Sequence, residues 1–153
     1  MELQGKTAIV TGGGRGIGEG IARVLAREGA NVVVMGRHAD EVEHVSAAIR
    51  AAGGSALPVV ADVTDWGSLV AMAERTVGHF GGIDVLVNNA GIEGPPRMLV
   101  DLPAEQWDQV LGVNLKGVFL CCKAVLPAMT ARGRGRIVNI GSIAAKRMTF
   151  FGK

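Results

Sequence analysis

At 153 residues the chain has the size of one domain and buries roughly two-thirds of its unfolded surface, enough for a core. Its formal net charge of +2, carried by scattered basic residues, excludes the electrostatic footprint of a nucleic-acid binder. No uninterrupted apolar run reaches the roughly 18 residues of a membrane helix, so no membrane partner is expected.

Met1-Glu2-Leu3-Gln4-Gly5-Lys6 leads directly into an apolar run without the basic start and long apolar stretch of a secretory signal, so a cytoplasmic location is expected. Five short runs, Ala8-Ile9-Val10, Val32-Val33-Val34-Met35, Val59-Val60-Ala61, Val85-Leu86-Val87 and Ile137-Val138-Asn139-Ile140, are continuously apolar. Strands covered on both faces of a parallel sheet read this way. Between them, Ile17, Ile21, Val24 and Leu25, then Val42, Val45, Ile49 and Ala52, then Trp66, Leu69, Ala73, Val77 and Phe80 recur at helical spacing. Gly29, Gly53-Gly54 and Gly81-Gly82 close these helices, and Pro103 suits the first turn of a fourth. Strand and helix alternate throughout, which predicts an α/β fold: a Rossmann-like, doubly wound parallel sheet in the order 3-2-1-4-5. The turns after Val10 and Val87 then face each other across the crevice at the switch point.

Several groups carry no expected chemistry. Cys121 and Cys122 are adjacent and cannot form spaced zinc-ligand pairs, and they read as small core residues. His38, His44 and His79 lack ligand spacing and read as surface residues. Arg132, Arg134 and Arg136 alternate with glycine and read as a solvated loop.

The segment Thr11-Gly12-Gly13-Gly14-Arg15-Gly16-Ile17-Gly18 lies between the first strand and the first helix. Gly12, Gly16 and Gly18 allow a sharp turn, close approach of the backbone to a pyrophosphate, and packing of the helix on the sheet. The helix N-terminus offers free N–H groups and a partial positive charge to the phosphates. A P-loop is excluded, because Gly5-Lys6-Thr7 matches only its tail and precedes the strand. At the end of the second strand, where an NAD-selective site places a carboxylate on the ribose 2′-hydroxyl, the chain reads Gly36-Arg37. Arg37 and Arg15 can pair with a 2′-phosphate, so NADP(H) is favoured and NAD(H) is the alternative; Asp40 lies three residues too late to reverse that choice. The same Gly36-Arg37 argues against methyl transfer from S-adenosylmethionine, which would predict an acidic residue there.

Together with Asp62-Val63 after the third strand, Asn88-Asn89-Ala90-Gly91 after the fourth, Asn114 within an apolar helix and Ser142 after the fifth, the glycine turn resembles the short-chain dehydrogenase/reductase family. The general look is similar to its 3-oxoacyl-acyl-carrier-protein reductases. The resemblance implies one NAD(P)-binding Rossmann domain over residues 1–153, truncated after the fifth strand, with the C-terminal part of the family domain absent. By it, Gly12, Arg15, Gly16, Ile17 and Gly18 hold the cofactor's phosphates and ribose, Asp62 and Val63 border the adenine, and Asn89, Ala90 and Gly91 line the nicotinamide side. Asp62 also reads as a turn or capping residue, and Asn88 and Asn89 as turn formers.

Carbonyl reduction by hydride transfer needs a donor that polarises the oxygen and an acid that protonates it. The resemblance implies Ser142 as the first and a tyrosine, with a lysine four residues on, as the second, while Asn114, expected to be buried in a polar network, holds a relay water. The tyrosine belongs roughly a dozen residues past Ser142, and the chain contains none. Lys146 and Lys153 are not assigned a role. The expectation is therefore a homo-oligomeric parent enzyme that interconverts a carbonyl and a secondary alcohol on a small molecule, with the 153-residue chain a truncated form of low or no activity. The alternative is a dinucleotide-binding fragment without catalysis.

Overall fold

The computed structural model describes residues 1–142; Lys146 and Lys153 lie outside them. The elements are β1 (Thr7–Thr11), α1 (Gly16–Arg27), β2 (Asn31–Gly36), α2 (Ala39–Ala51), β3 (Ser55–Val60), α3 (Trp66–Phe80), β4 (Val85–Asn88), α4 (Ala104–Leu111), α5 (Gly117–Ala131) and β5 (Arg136–Asn139). A π-helical turn, Gly112–Lys116, joins α4 to α5. The sheet is parallel in the order β3-β2-β1-β4-β5, the Rossmann-like order expected.

Alternation along the central strands splits the interior into two cores rather than one. Ala8 and Val10 of β1 and Val32 and Val34 of β2 face α1 and α2, where Ala22, Ala26, Val42, Val45 and Ile49 cover them. Ile9, Val33 and Met35 face the other way, against Leu69, Met72 and Ala73 of α3 and Leu120, Cys121, Val125 and Met129 of α5. Burial, with Cys122 adjacent, pushes the Cys121 thiol up to about 12, so it behaves as an apolar core group.

The helical stripes need correction in three places. In α1 the buried residues are Gly18, Ala22 and Ala26, while Ile17 and Val24 are exposed. Small residues let this helix lie close to the sheet, and Ile17 turns toward the ligand crevice. In α3 the buried face is Leu69, Met72, Ala73 and Thr76, and Trp66 and Val77 are exposed. Thr76 stays inside because its hydroxyl donates to the Met72 carbonyl, 2.7 Å away. The Trp66 ring instead lies 4.7 Å from the Lys123 ammonium. Ala52, expected on the α2 stripe, is exposed just past that helix. The third strand begins at Ser55, earlier than the Val59-Val60-Ala61 run suggested, and includes Pro58. That is tolerated because β3 is an edge strand, where the missing N–H leaves no gap in the ladder.

The column Ala104–Ala131 is long and apolar enough to cross a bilayer by length and composition, a test that core helices also pass. Leu120, Cys121, Val125 and Met129 are buried in the core, while Trp107, Leu115, Phe119 and Leu126 are exposed.

Arg132, Arg134 and Arg136 are exposed, as read from the sequence, but the first two also reach a buried carboxylate. Asp84, just before β4, is buried, and Arg134 Nε donates to its Oδ1 at 3.0 Å while Arg132 Nη1 lies 3.6 Å from its Oδ2. The Thr7 N–H also donates to Asp84 Oδ2 at 3.0 Å, and the Arg136 N–H to the Asp84 carbonyl at 2.9 Å. Asp84 thus joins the start of β1 and the end of α5 through its carboxylate, and the start of β5 through its main-chain carbonyl. Burial raises its pKa, but the Thr7 N–H, Arg132, Arg134 and Lys6 outweigh that and hold it below the usual 3.8.

Asp84→Asn keeps an acceptor for Thr7 but loses the charge, and it should lower unfolding stability by about 1.5–3 kcal/mol at neutral pH in urea titration. A depressed carboxylate pKa stabilises the fold above the unfolded value and loses that contribution as pH falls through the folded one. The gap between wild type and variant should therefore be full at neutral pH and close as pH drops below about 4.

Candidate functional site

At the C-terminal edge of the sheet, the turns after β1 and β4 are bolted to each other. The Thr11 hydroxyl accepts from the Asn89 and Ala90 N–H groups, each at 3.0 Å, and faces the Val87 carbonyl at 3.4 Å. Asn89 Nδ2 returns the connection by donating to the Thr11 and Gly12 carbonyls at 3.0 and 3.2 Å. Asn89 is thus a strap behind the glycine turn, whereas Asn88 Nδ2 donates to Asn139 Oδ1 at 2.9 Å and ties β4 to β5.

The glycine turn fits a closely approaching group. Gly12 holds φ +63°, and a Cβ at Gly18 would stand 2.1 Å from the Gly12 carbonyl oxygen and 2.5 Å from Asn89 Nδ2. No side chain fits there, so the turn closes tightly on the start of α1. Arg15 is the N-cap of that helix in extended conformation. The first helical N–H groups, which have no partner within the helix, open on the crevice in front of the turn.

That crevice has a volume of about 300 Å³, and Gly12, Arg15, Gly16, Ile17, Gly18, Arg37, Asp62, Val63, Asn89, Ala90 and Gly91 all line it. Every residue expected at the cofactor is therefore brought to one cleft. Asp62 Oδ1 accepts from the Thr64 N–H and hydroxyl, each at 2.8 Å, which makes it a turn former at the cleft wall. The N-cap of α3 is Asp65 instead, accepting from the Ser68 N–H at 2.9 Å. Burial raises the Asp62 pKa, but the two bonds from Thr64 and the charge of Arg37 outweigh it, and the group lies below the ordinary carboxylate value.

Asn114 and Ser142 stand differently. Asn114 is exposed rather than buried, within the π-helical turn, yet its amide is held at both ends: Oδ1 accepts from the Ile92 N–H at 2.9 Å and Nδ2 donates to the Ile92 carbonyl at 2.8 Å. Ile92 lines the cleft, so Asn114 reaches it through that loop. Ser142 is exposed and follows β5 at the same sheet edge as the glycine turn. Glu41, on the first turn of α2, lines the cleft without having been singled out in the sequence, and its Oε1 lies 3.5 Å from Arg15 Nη1. No local pattern marks a contact between residues 26 apart. Asp40, weighed from the sequence, is not among the lining residues. Among the described residues no group of His, Cys, Asp and Glu could hold a metal ion.

A doubly wound sheet with a glycine turn at the switch point defines the nucleotide-binding α/β class. Within it, a family model described as short chain dehydrogenase matches residues 6–152, and the chain belongs to that family of oxidoreductases. It is 46% identical over 138 residues to cis-4-hydroxycyclohexanecarboxylate dehydrogenase of Sinomonas cyclohexanicum, covering 90% of this chain and 55% of that protein. Among solved structures it is similar to a 7α-hydroxysteroid dehydrogenase complexed with NADH and 7-oxo glycochenodeoxycholic acid, with TM-score 0.91, 38% identity and coverage of 95% and 56% of the two chains. It is also similar to a metagenomic short-chain oxidoreductase in complex with NADP, with TM-score 0.90, 40% identity and coverage of 96% and 66%. The chain spans slightly more than half the length of the curated relative named above.

Thr11→Val keeps the shape of the side chain but leaves the Asn89 and Ala90 N–H groups without an acceptor. Stability should fall by about 2–3 kcal/mol, and affinity for a nicotinamide dinucleotide, followed by tryptophan fluorescence, should drop at least about tenfold as the two turns separate.

Proposed function

We propose that the chain is the dinucleotide-binding part of an NADP(H)-dependent oxidoreductase that interconverts a carbonyl and a secondary alcohol on a small molecule. The observation that carries this reading is the pair of guanidinium groups, Arg15 and Arg37, on the cleft wall beyond β2, a strand that ends on Gly36 instead of a carboxylate. A carboxylate there would bond a ribose 2′-hydroxyl and repel a 2′-phosphate, whereas planar guanidinium groups suit the phosphate. The relatives support the coarser reading, since one solved neighbour is described with NADH and another with NADP.

In this reading the free N–H groups at Gly16, Ile17 and Gly18 take the phosphates, favoured by the helix dipole. The Gly12 turn lets the backbone come close, and Asp62 and Val63 border the adenine. Asn89, Ala90 and Gly91 stand on the nicotinamide side. Bound there, the cofactor supplies or accepts a hydride. Ser142 donates a hydrogen bond to the substrate oxygen, and Asn114 fixes the Ile92 loop beside it. With its amide committed to Ile92, Asn114 acts first as a positioning residue. Proton delivery to the alkoxide needs an acid of suitable pKa, the role the resemblance gives to a tyrosine. The chain contains no tyrosine, so binding without turnover is the expected behaviour of these 153 residues.

Purified chain titrated with NADPH and NADH, then offered a panel of aldehydes and ketones, tests both parts. NADPH should bind more tightly, Arg37→Asp should weaken it far more than NADH, and no carbonyl should be reduced. Equal losses for the two cofactors would overturn the assignment of Arg37, and sustained NADPH oxidation would overturn the view of the chain as a binding part.

A further inference from the structure

The charge lining the cleft is balanced. Arg15 and Arg37 face Glu41 and Asp62, with His38 beside them. Arg15 Nη1 lies 3.5 Å from Glu41 Oε1, with the Arg15 side chain 77% and the Glu41 side chain 31% exposed. The contact is built into the backbone: a Cβ at Gly14 would stand 2.9 Å from the Glu41 Cβ, so the glycine turn rests directly on the first turn of α2. The more buried partner, Glu41, is held by its helix, while Arg15 is the exposed and movable one.

We infer that Glu41 is a specificity-determining residue that competes with a 2′-phosphate for Arg15 and so narrows the preference for NADP(H) over NAD(H). The inference rests on the proposed dinucleotide site. A ligand with a 2′-phosphate must draw Arg15 away from Glu41 and sit near that carboxylate. A ligand with a free 2′-hydroxyl leaves the pair intact. Removing the Glu41 charge therefore helps only the phosphorylated ligand, by the modest amount an exposed ion pair allows. Asp62 differs in its relation to Arg37: the two interact through charge, no ion pair joins them among the described residues, and Asp62 Oδ1 accepts from Thr64.

The test uses 2′,5′-ADP and 5′-AMP, which share the adenosine end and differ in the 2′-phosphate, with calorimetric Kd values for wild type and Glu41→Gln. The variant should bind 2′,5′-ADP about fivefold more tightly and 5′-AMP within about twofold of wild type, with the gain shrinking as salt rises. In an Arg15→Met background the same substitution should gain about twofold or less. Glu41→Ala, checked by thermal unfolding, repeats the comparison independently of the amide. Equal shifts for both nucleotides, or weaker 2′,5′-ADP binding by a folded variant, would overturn the role of Glu41 and leave the dinucleotide site standing. Wild-type protein that binds neither nucleotide would overturn the site itself and the inference with it.

Discussion

The hydroxyl of Thr11 is the constraint on which the cleft depends. It sits at the end of β1, buried, and takes two N–H groups from the turn after β4. Parallel strands by themselves fix only the register of their ladder, Ala8 against Val85 through Val10 against Val87. Beyond Val87 the two chains diverge toward opposite faces, and the side chains of Thr11 and Asn89 hold them at a fixed separation. Removing the Thr11 hydroxyl takes the acceptor from two N–H groups, and removing the Asn89 amide takes the donor from two carbonyls, a cost that is a large fraction of a domain's net stability. The binding turn is therefore rigid because the sheet continues through side chains past the point where its backbone ladder stops.

A second fixed point lies at the other end of the sheet. Asp84 gathers Thr7, Arg132 and Arg134 around a buried carboxylate, so the central strands are pinned at both ends. Between the pins, the apolar alternation of β1 and β2 fills two separate cores. The site is thus carried by the most deeply buried strands, while its charged wall is drawn from the turn before α1, the ends of β2 and β3 and the start of α2.

How much of this was legible follows from how local each signal is. The continuous runs at Val32–Met35 and Val85–Val87 name buried parallel strands from composition alone, and the glycine spacing marks the turn. The phase of α1 was half legible: Ile21 and Leu25 do pack against the core, but Ile17 and Val24 are exposed, and the buried positions, Gly18, Ala22 and Ala26, are small. Thr76 and Pro58 were passed over for the same kind of reason, a polar or rigid residue made acceptable by a particular bond or an edge position. All of the residues expected at the cofactor meet in one cleft, since each sits at a strand end that the topology brings to one edge. Glu41 and the Asp84 cluster were invisible because they join residues far apart in the chain, where no spacing rule applies.

The strand order also governs how the chain is made. β1 stands in the middle of the finished sheet, yet its second neighbour, β4, begins at Val85, after α3. On a ribosome extending at about 5–20 residues per second, β1, β2 and β3 can pair for several seconds before that neighbour emerges. During that interval the innermost strand is an open edge with bare amides and carbonyls, the feature that recruits intermolecular pairing. Newly made protein is accordingly most prone to aggregate before Asn89 has emerged to engage Thr11.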